Sequence, residues 1–127
     1  MILPERLSKE PIAVTIRQGD EELTDIVAWT IFALIDAEKL GLTQATIGQV
    51  AATATTPVVR RLLGLEGNMG ESIGAARPDD ARTMIRTFGN SGEIFERHLG
   101  VNTPLCLERG MNDIWTRGGP LHAPPAR

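Results

Sequence analysis

The sequence predicts a mainly helical domain preceded by one or two short β-strands. Apolar residues recur at three- and four-residue spacing through most of residues 20–116, which is typical of amphipathic helices. By contrast, "IAVTIR" at residues 12–17 alternates apolar and other side chains and is rich in β-branched residues, as strands are. At 127 residues, the chain has the length of one ordinary domain. We therefore expect a single domain over residues 1–127.

The amino-terminal arm, residues 1–18, is predicted to hold the strands. Residues 2–7 are a candidate for a short extended segment, and residues 12–17 are predicted as a strand. Ile12, Val14 and Ile16 share one side of that strand. A lone strand leaves its backbone N–H and C=O groups unpaired, so this one requires a partner strand from outside the sequence.

The first predicted helix begins after Asp20 and ends before Gly41. Asp20 is a capping residue, and Glu21 and Glu22 place negative charge in the first turn, where the helix dipole favours it. Its apolar band is wide enough to require neighbours on two sides. The band comprises Leu23, Ile26, Val27, Thr30, Ile31, Leu34 and Ile35 and is widened by Trp29, Ala33, Ala37 and Leu40. Trp29 and Phe32 point away from its centre, as part of the core or as an interaction surface.

Two shorter helices are predicted next. Thr43 is the expected cap of the first, which is anchored by Ile47. The second has Pro57 at its first position and Gly64 just past its end, a combination typical of helix boundaries. The glycine-rich run at residues 64–76 does not have the spacing of a phosphate-binding loop, so we interpret it as loop and caps.

The last part of the helical body is predicted to contain three segments. A helix opens at residues 78–80 and includes Phe88 on its apolar face, and "GNSG" at 89–92 breaks it. A second segment runs to Gly100. A third is predicted at 106–116, and the remaining residues, 117–127, are predicted as an extended tail because their glycines and prolines cannot continue a helix.

Composition argues against several classes of function. The formal charge is −3, and the longest basic run is a pair, which does not resemble a nucleic-acid footprint. The longest apolar-rich stretch, residues 26–35, is shorter than the roughly 20 residues that cross a bilayer. The first residues do not have the pattern of a signal peptide. We expect no membrane span, and cytoplasmic localisation for the sequence as given.

No catalytic, metal-binding or cofactor site is predicted. His98 and His122 have no ligand partners at metal-binding spacing. Cys106 is expected to be a buried, inert thiol. Asp79 and Asp80 are interpreted as helix-start residues, and an ion pair between Glu93 and Arg97 is expected on a helix. The predicted protein is not an enzyme.

Several long segments in order resemble the carboxyl-terminal part of the general amino-acid-binding proteins of bacterial ABC importers. They are "ILPERLSKEP", "TIRQGDEELTDIVAWTIFALIDAEKLG", "RRLLGLEG", "GNSGEIFERHLG" and "LERGMNDIWTRGGPLHAPPAR". The resemblance implies a fragment of a two-lobed α/β periplasmic-binding-protein fold of type II. It also implies that residues 12–17 correspond to the strand on which the chain returns from the second lobe, so that the missing sheet lies upstream.

The resemblance also bears on ligand binding and location. The family's arginine for the α-carboxylate and aspartate for the α-amino group lie in segments before this chain begins, so no ligand-binding residue is carried over and an amino-acid ligand is not expected. Periplasmic localisation follows if the export context of the family applies. The resemblance leaves open which permease would be the partner.

We therefore predict a truncated, non-catalytic substrate-binding protein that acts as a self-associating helical module, a homodimer or higher homo-oligomer completed by intertwining or domain swapping. The alternative is an amino-acid-binding component whose cleft forms between subunits, for which Arg17 and Asp20 are the one compact charged pair near the strand. The residues predicted to self-associate are Ile12, Val14, Ile16, Ile26, Trp29, Ile31 and Phe32.

Overall fold

The computed structural model describes residues 13–67 and 79–125 and is mainly helical, as predicted. Within these ranges the chain forms α1 (Glu21–Lys39), α2 (Ile47–Thr53), α3 (Pro57–Leu62), α4 (Asp80–Phe88) and α5 (Ser91–His98). Single 3₁₀ turns follow at Gly110–Asn112 and Trp115–Arg117.

Helix α1 has the boundaries that its capping residues predict. The Asp20 side chain accepts a hydrogen bond from the Leu23 N–H at 3.2 Å, which satisfies one of the free donors of the first turn. At the other end, Gly41 has a φ of 69°, and the Leu42 N–H returns to the Ala37 carbonyl at 2.8 Å. A left-handed glycine just past the last turn is a common helix stop.

The core lies under the second half of α1. Helix α1 packs against α4 and α5, and α2 packs against α4. This arrangement buries small side chains of α1 against larger ones of the other elements, so the helices approach closely. The core cluster comprises Ala33, Ala37, Leu42, Ile47, Leu62, Leu63 and Ile85.

Asn90 sets the corner between α4 and α5. Gly89 ends α4 with a φ of 84°, which favours glycine. The Asn90 side chain then accepts from the Glu93 N–H at 2.9 Å and donates to the Leu42 carbonyl at 2.8 Å. A capping box is completed by Glu93, which accepts from the Asn90 N–H at 2.9 Å. This buried amide therefore joins the start of α5 to the end of α1.

The expected ion pair between Glu93 and Arg97 is wrong. Glu93 is held by the capping box and also accepts from the Gln44 N–H, while Arg97 donates to the Phe88 carbonyl at 3.0 Å. The N–H groups of Asn90 and Gln44 occupy the Glu93 carboxylate, so it does not pair with Arg97 four residues further along the helix. Phe88 itself is exposed, contrary to its predicted place on the apolar face.

Residues 13–17 do not form the predicted strand, and Ile12 and residues 2–7 lie outside the described part of the chain. A strand needs a neighbour for its backbone hydrogen bonds, and the described ranges offer none. Their one β-type pairing is an isolated bridge between Ile114 and Leu121. Residues 68–78, which hold most of the glycine-rich run, are also outside the description.

The predicted helix at 106–116 is also wrong. Cys106 and Gly110 have φ values of 49° and 48°, and Ile114 is extended. These backbone conformations interrupt the helix, and Arg109 and Arg117 instead both reach one carboxylate on α1. In a continuous helix these two residues would lie about 12 Å apart along the axis.

The second predicted helix begins later than its expected cap. Thr46, not Thr43, occupies the cap position of α2. The two hydroxyls lie 2.8 Å apart and each side chain also bonds the other residue's N–H, forming a closed turn before the helix. Helix α3 starts at Pro57 as predicted.

We predict that Asn90→Ala lowers the free energy of unfolding by about 2–3 kcal/mol. About 1 kcal/mol comes from the lost helix cap and the rest from leaving buried backbone groups without partners. Urea denaturation followed by circular dichroism measures the change. Asp20→Ala is the control, because it removes a cap with no tie to another element and should cost about 1 kcal/mol. Equal losses for the two variants would contradict the role of Asn90 as a tie.

Candidate functional site

Glu38 is a buried carboxylate in the last turn of α1, only 8% exposed. It accepts hydrogen bonds from the Ser91 hydroxyl at 2.5 Å and from Arg109 Nη2 at 3.1 Å. Arg117 also donates to it. Because Ser91 begins α5 and the two arginines lie near the carboxyl terminus, one side chain joins three separate parts of the chain.

The two arginines belong to residues 109–121, which we call the C-terminal strap. Within the strap, Arg117 Nε donates to the Asp113 carboxylate at 2.8 Å. Arg109 lies over the Phe95 ring at 5.0 Å, a cation–π contact, and donates to the Asn112 carbonyl at 3.0 Å. Asp113 therefore balances the excess positive charge that two arginines would bring to a single glutamate.

Electrostatics favour the charged form of both carboxylates. Burial alone would raise the pKa of Glu38, but hydrogen bonds from Ser91 and Arg109 and the charges of Arg109 and Arg117 outweigh it and lower that pKa below its ordinary value. The hydrogen bond from Arg117 lowers the pKa of Asp113. Reciprocally, Asp113 and Glu38 raise the pKa of Arg117.

This cluster has the chemistry of a structural tie. Both oxygens of Glu38 are hydrogen-bonded, and among the described residues no group of three histidine, cysteine or acidic side chains is placed to hold a metal ion.

Cys106 is exposed, so the prediction of a buried thiol is wrong. It lies on a surface turn, where its N–H donates to the Thr103 carbonyl. His98 ends α5, next to Arg97.

Of the residues predicted to self-associate, Ile26, Trp29, Ile31 and Phe32 lie on α1 and form an open apolar surface. Val14 and Ile16 precede the helix, and Ile12 lies outside the described residues. None of residues 21–32 is buried. Val14 and Ile31 are 62% and 42% exposed, whereas Ile16 and Ile26 are half-buried. The structure brings two of the predicted residues together: the rings of Trp29 and Phe32 meet edge to face at 5.7 Å, a favourable geometry for aromatic pairs.

An open cavity of about 450 Å³ lies between the end of α1 and the carboxyl-terminal residues. It is lined by Lys39, Trp115, His122, Ala123 and Pro125. Lys39 is 3.4 Å from the Asp36 carboxylate, and the His122 ring lies 3.2 Å from the Pro120 carbonyl. The lining residues include no carboxylate that would pair with the amino group of an amino acid.

The charged pair considered from the sequence, Arg17 and Asp20, does not form a ligand clamp. The Asp20 side chain caps α1, and the contact between the two residues is a backbone turn from the Asp20 N–H to the Arg17 carbonyl at 3.3 Å. Arg17 is exposed.

The fold is that of part of a periplasmic binding protein. The chain superposes on an ABC transporter periplasmic binding protein from Brucella ovis, solved with glutathione bound, with a TM-score of 0.92 and 42% identity over 98% of this chain and 39% of that one. No family model matches the chain. In the described residues, no helix combines the length and the hydropathy needed to cross a membrane.

The homologues of the chain are amino-acid-binding proteins of ABC transporters. Over its whole length it is 48% identical to the glutamate/glutamine/aspartate/asparagine-binding protein BztA of Rhodobacter capsulatus and 44% identical to the general L-amino acid-binding periplasmic protein AapJ of Rhizobium johnstonii. It spans 37% of the length of each. The predicted resemblance is confirmed, and the coverage is consistent with a carboxyl-terminal portion of such proteins.

The glutamate cluster was not predicted from the sequence, although one signal was present. Asp36 and Glu38 are acidic residues near the carboxyl end of a helix, where the dipole disfavours negative charge, so a partner for each was to be expected. The partners of Glu38 are 53, 71 and 79 residues away, and no local pattern identifies them.

We predict that the protein loses stability in acid through this cluster. Folding lowers the pKa of Glu38 and of Asp113. The two carboxylates therefore contribute fully to the free energy of unfolding at a pH above their pKa values in the unfolded chain, about 4.3 and 3.9. That contribution disappears as the pH falls through their lower pKa values in the folded protein. Urea unfolding between pH 7 and pH 3 should show little change from these groups above pH 5 and a loss below about pH 4. Glu38→Gln should make the free energy of unfolding depend less on pH below about pH 4. If its pH dependence equals that of the wild type, Glu38 is not one of the groups responsible.

Proposed function

We propose that this chain is a non-catalytic, helical part of an amino-acid-binding protein of an ABC transporter, and that it associates through its open apolar surface without capturing a ligand by itself. The match to the Brucella ovis protein over nearly the whole chain supports the first part. The periplasm, the compartment named for the Rhizobium johnstonii relative, is where such a part would act.

The charged groups of the described residues support the absence of independent ligand capture. An amino acid needs a cation for its carboxylate and an anion for its amino group within one pocket. The buried charges here are already paired: Glu38 with two arginines, and Asp36 with Lys39. Binding at either site would first have to break these existing pairs.

Self-association is supported by the exposed apolar residues of α1. Fully burying a large aliphatic or aromatic side chain contributes about 1.5–3 kcal/mol. Association that buries Ile31 and its half-buried neighbours on α1 is therefore strongly favoured. In the relatives, the other 63% of the length is available to pack against this region. Where the chain is alone, a second copy offers the same apolar surface, and two-fold pairing is the commonest closed arrangement.

Strand exchange is a less direct route to such a dimer. Residues 13–17 are not a strand in the single chain, so α1, which is already formed, supplies the contact. Pairing of the amino-terminal arm between copies remains a prediction that the same experiment addresses.

The protein is expected to sediment as a homodimer or higher oligomer at micromolar concentration. Val14→Asp together with Ile31→Asp should produce folded monomers, because both side chains are exposed in the single chain and need not be buried for it to fold. Analytical ultracentrifugation measures the mass, and circular dichroism checks the helices. Val58→Asp is the matched control, since Val58 is also apolar and exposed, at 40%, but lies on α3. A stable wild-type monomer at high micromolar concentration would rule out self-association.

The alternative function is amino-acid binding in a cleft that forms between subunits. It is favoured by the names of the relatives, which describe amino-acid-binding proteins, and by the glutathione in the Brucella ovis structure.

Isothermal titration calorimetry with glutamate, glutamine, aspartate, asparagine and glutathione decides between the two functions. We expect no binding in the micromolar range, because the buried carboxylates Asp36 and Glu38 are paired internally. A dissociation constant near 1 μM corresponds to about −8 kcal/mol and would require a well-formed polar site. If that affinity is lost in the monomeric Val14→Asp and Ile31→Asp variant, the site lies between subunits and the alternative is correct.

A further inference from the structure

The C-terminal strap is a turn that holds its own shape. The Trp115 N–H donates to the Leu121 carbonyl at 2.8 Å, and the Leu121 N–H donates to the Asp113 carbonyl at 3.1 Å. The Gly119 N–H closes the turn on the Ile114 carbonyl at 3.1 Å. A side chain at Gly119 would collide with the Asp113 backbone, so the turn is closed tightly. These bonds all lie within the strap.

The strap is attached to the helical body at few points, among them the contact of Arg109 with the Phe95 ring of α5. Ile114 is 2% exposed but lies outside the contiguous core cluster. The hydrogen bonds from strap side chains to α1 in the described residues both end on Glu38. Two arginines therefore hold the strap to a single carboxylate, one on each side of Ile114.

We propose that the strap is a latch, which undocks from the helical body as a unit when Glu38 loses its charge or its position, while the helices stay folded. A segment with internal hydrogen bonds and few external contacts is the kind of unit that opens locally. Because Trp115 lines the cavity at Lys39, undocking also removes one wall of that cavity. The latch does not depend on the proposed function.

The charges around Glu38 explain why one residue controls the latch. The groups that face it are the Ser91 hydroxyl from α5 and the Arg109 and Arg117 guanidinium groups from the strap. Asp113 forms ion pairs with both arginines. If Glu38 is neutral, Arg109, which is largely buried, keeps its charge but loses its main partner. Leaving a buried charge unpaired is costly, and undocking returns it to water.

Gly92 offers a second way to open the latch without changing a charge. A Cβ at this position would lie 2.7 Å from Glu38 Oε1 and 3.0 Å from Arg109 Nη1, so these side-chain ends must shift away from α5. Gly92 is inside α5, and alanine is the better helix former. Gly92→Ala should therefore weaken the latch while favouring the helix.

The rate at which a buried thiol reacts with a disulfide reagent measures the opening directly. The reporter is Ile114→Cys, in a chain whose native thiol is removed by Cys106→Ser. A second reporter, Ile85→Cys in the same background, lies on α4 and is fully buried in the core. The strap reporter reacts when the strap opens, whereas the core reporter reacts only when the body unfolds.

Adding Glu38→Gln or Gly92→Ala should raise the labelling rate of the strap reporter by about tenfold or more, since charge-assisted hydrogen bonds contribute free energies of that order. Because these changes also lower the free energy of global unfolding, the core reporter should accelerate by no more than the same factor and should stay much slower than the strap reporter. Arg117→Gln changes a half-exposed side chain and should raise the labelling rate of the strap reporter by a smaller factor. This variant tests the latch even if Glu38→Gln does not fold.

Glu93→Gln is the matched control, because Glu93 is a carboxylate of α5 that holds a cap and a loop but does not touch the strap. It should leave the strap reporter unchanged. Three outcomes would overturn the latch: equal labelling rates of the two reporters, which would mean that the strap opens only when the body unfolds; no acceleration of the strap reporter by Glu38→Gln, Gly92→Ala or Arg117→Gln; or the same acceleration from Glu93→Gln.

Discussion

The structure depends on how the charge of Glu38 is satisfied. A carboxylate at the end of a helix opposes the helix dipole, and burying it adds the cost of removing it from water. In this chain three hydrogen-bond donors, which come from α5 and from the C-terminal strap, offset both unfavourable effects. The charged carboxylate of Glu38 is therefore stable in its buried position only when these distant parts of the chain are in place.

This constraint divides α1 into two halves with different roles. The second half carries the small buried residues and Glu38, and it is surrounded by α4, α5 and the strap. The first half carries larger apolar residues, of which none is buried in residues 21–32. A helix that is covered along one half and open along the other is what a part of a larger fold would present, and the 37% coverage of the relatives is in keeping with that.

Features with local signals were predictable from the sequence. The caps at Asp20 and Gly41, the start of α3 at Pro57 and the break at Gly89 all depend on the chemistry of one or two residues. The predictions of a strand at 12–17 and of a helix at 106–116 were wrong. Apolar periodicity indicates only a local preference for a strand or a helix, whereas the structure that forms also depends on contacts with distant residues. The first segment has no neighbouring strand in the described residues, and the second is held by a carboxylate 71 residues away.

The central claim is that Glu38 and Arg109 interact strongly across that separation. A double-mutant cycle with Glu38→Gln and Arg109→Gln, followed by urea unfolding of all four proteins, measures their coupling free energy with other effects cancelled. The account predicts a coupling of about 1–3 kcal/mol, as for residues in one buried network. A coupling within about 0.3 kcal/mol of zero, the value expected for independent sites, would contradict it.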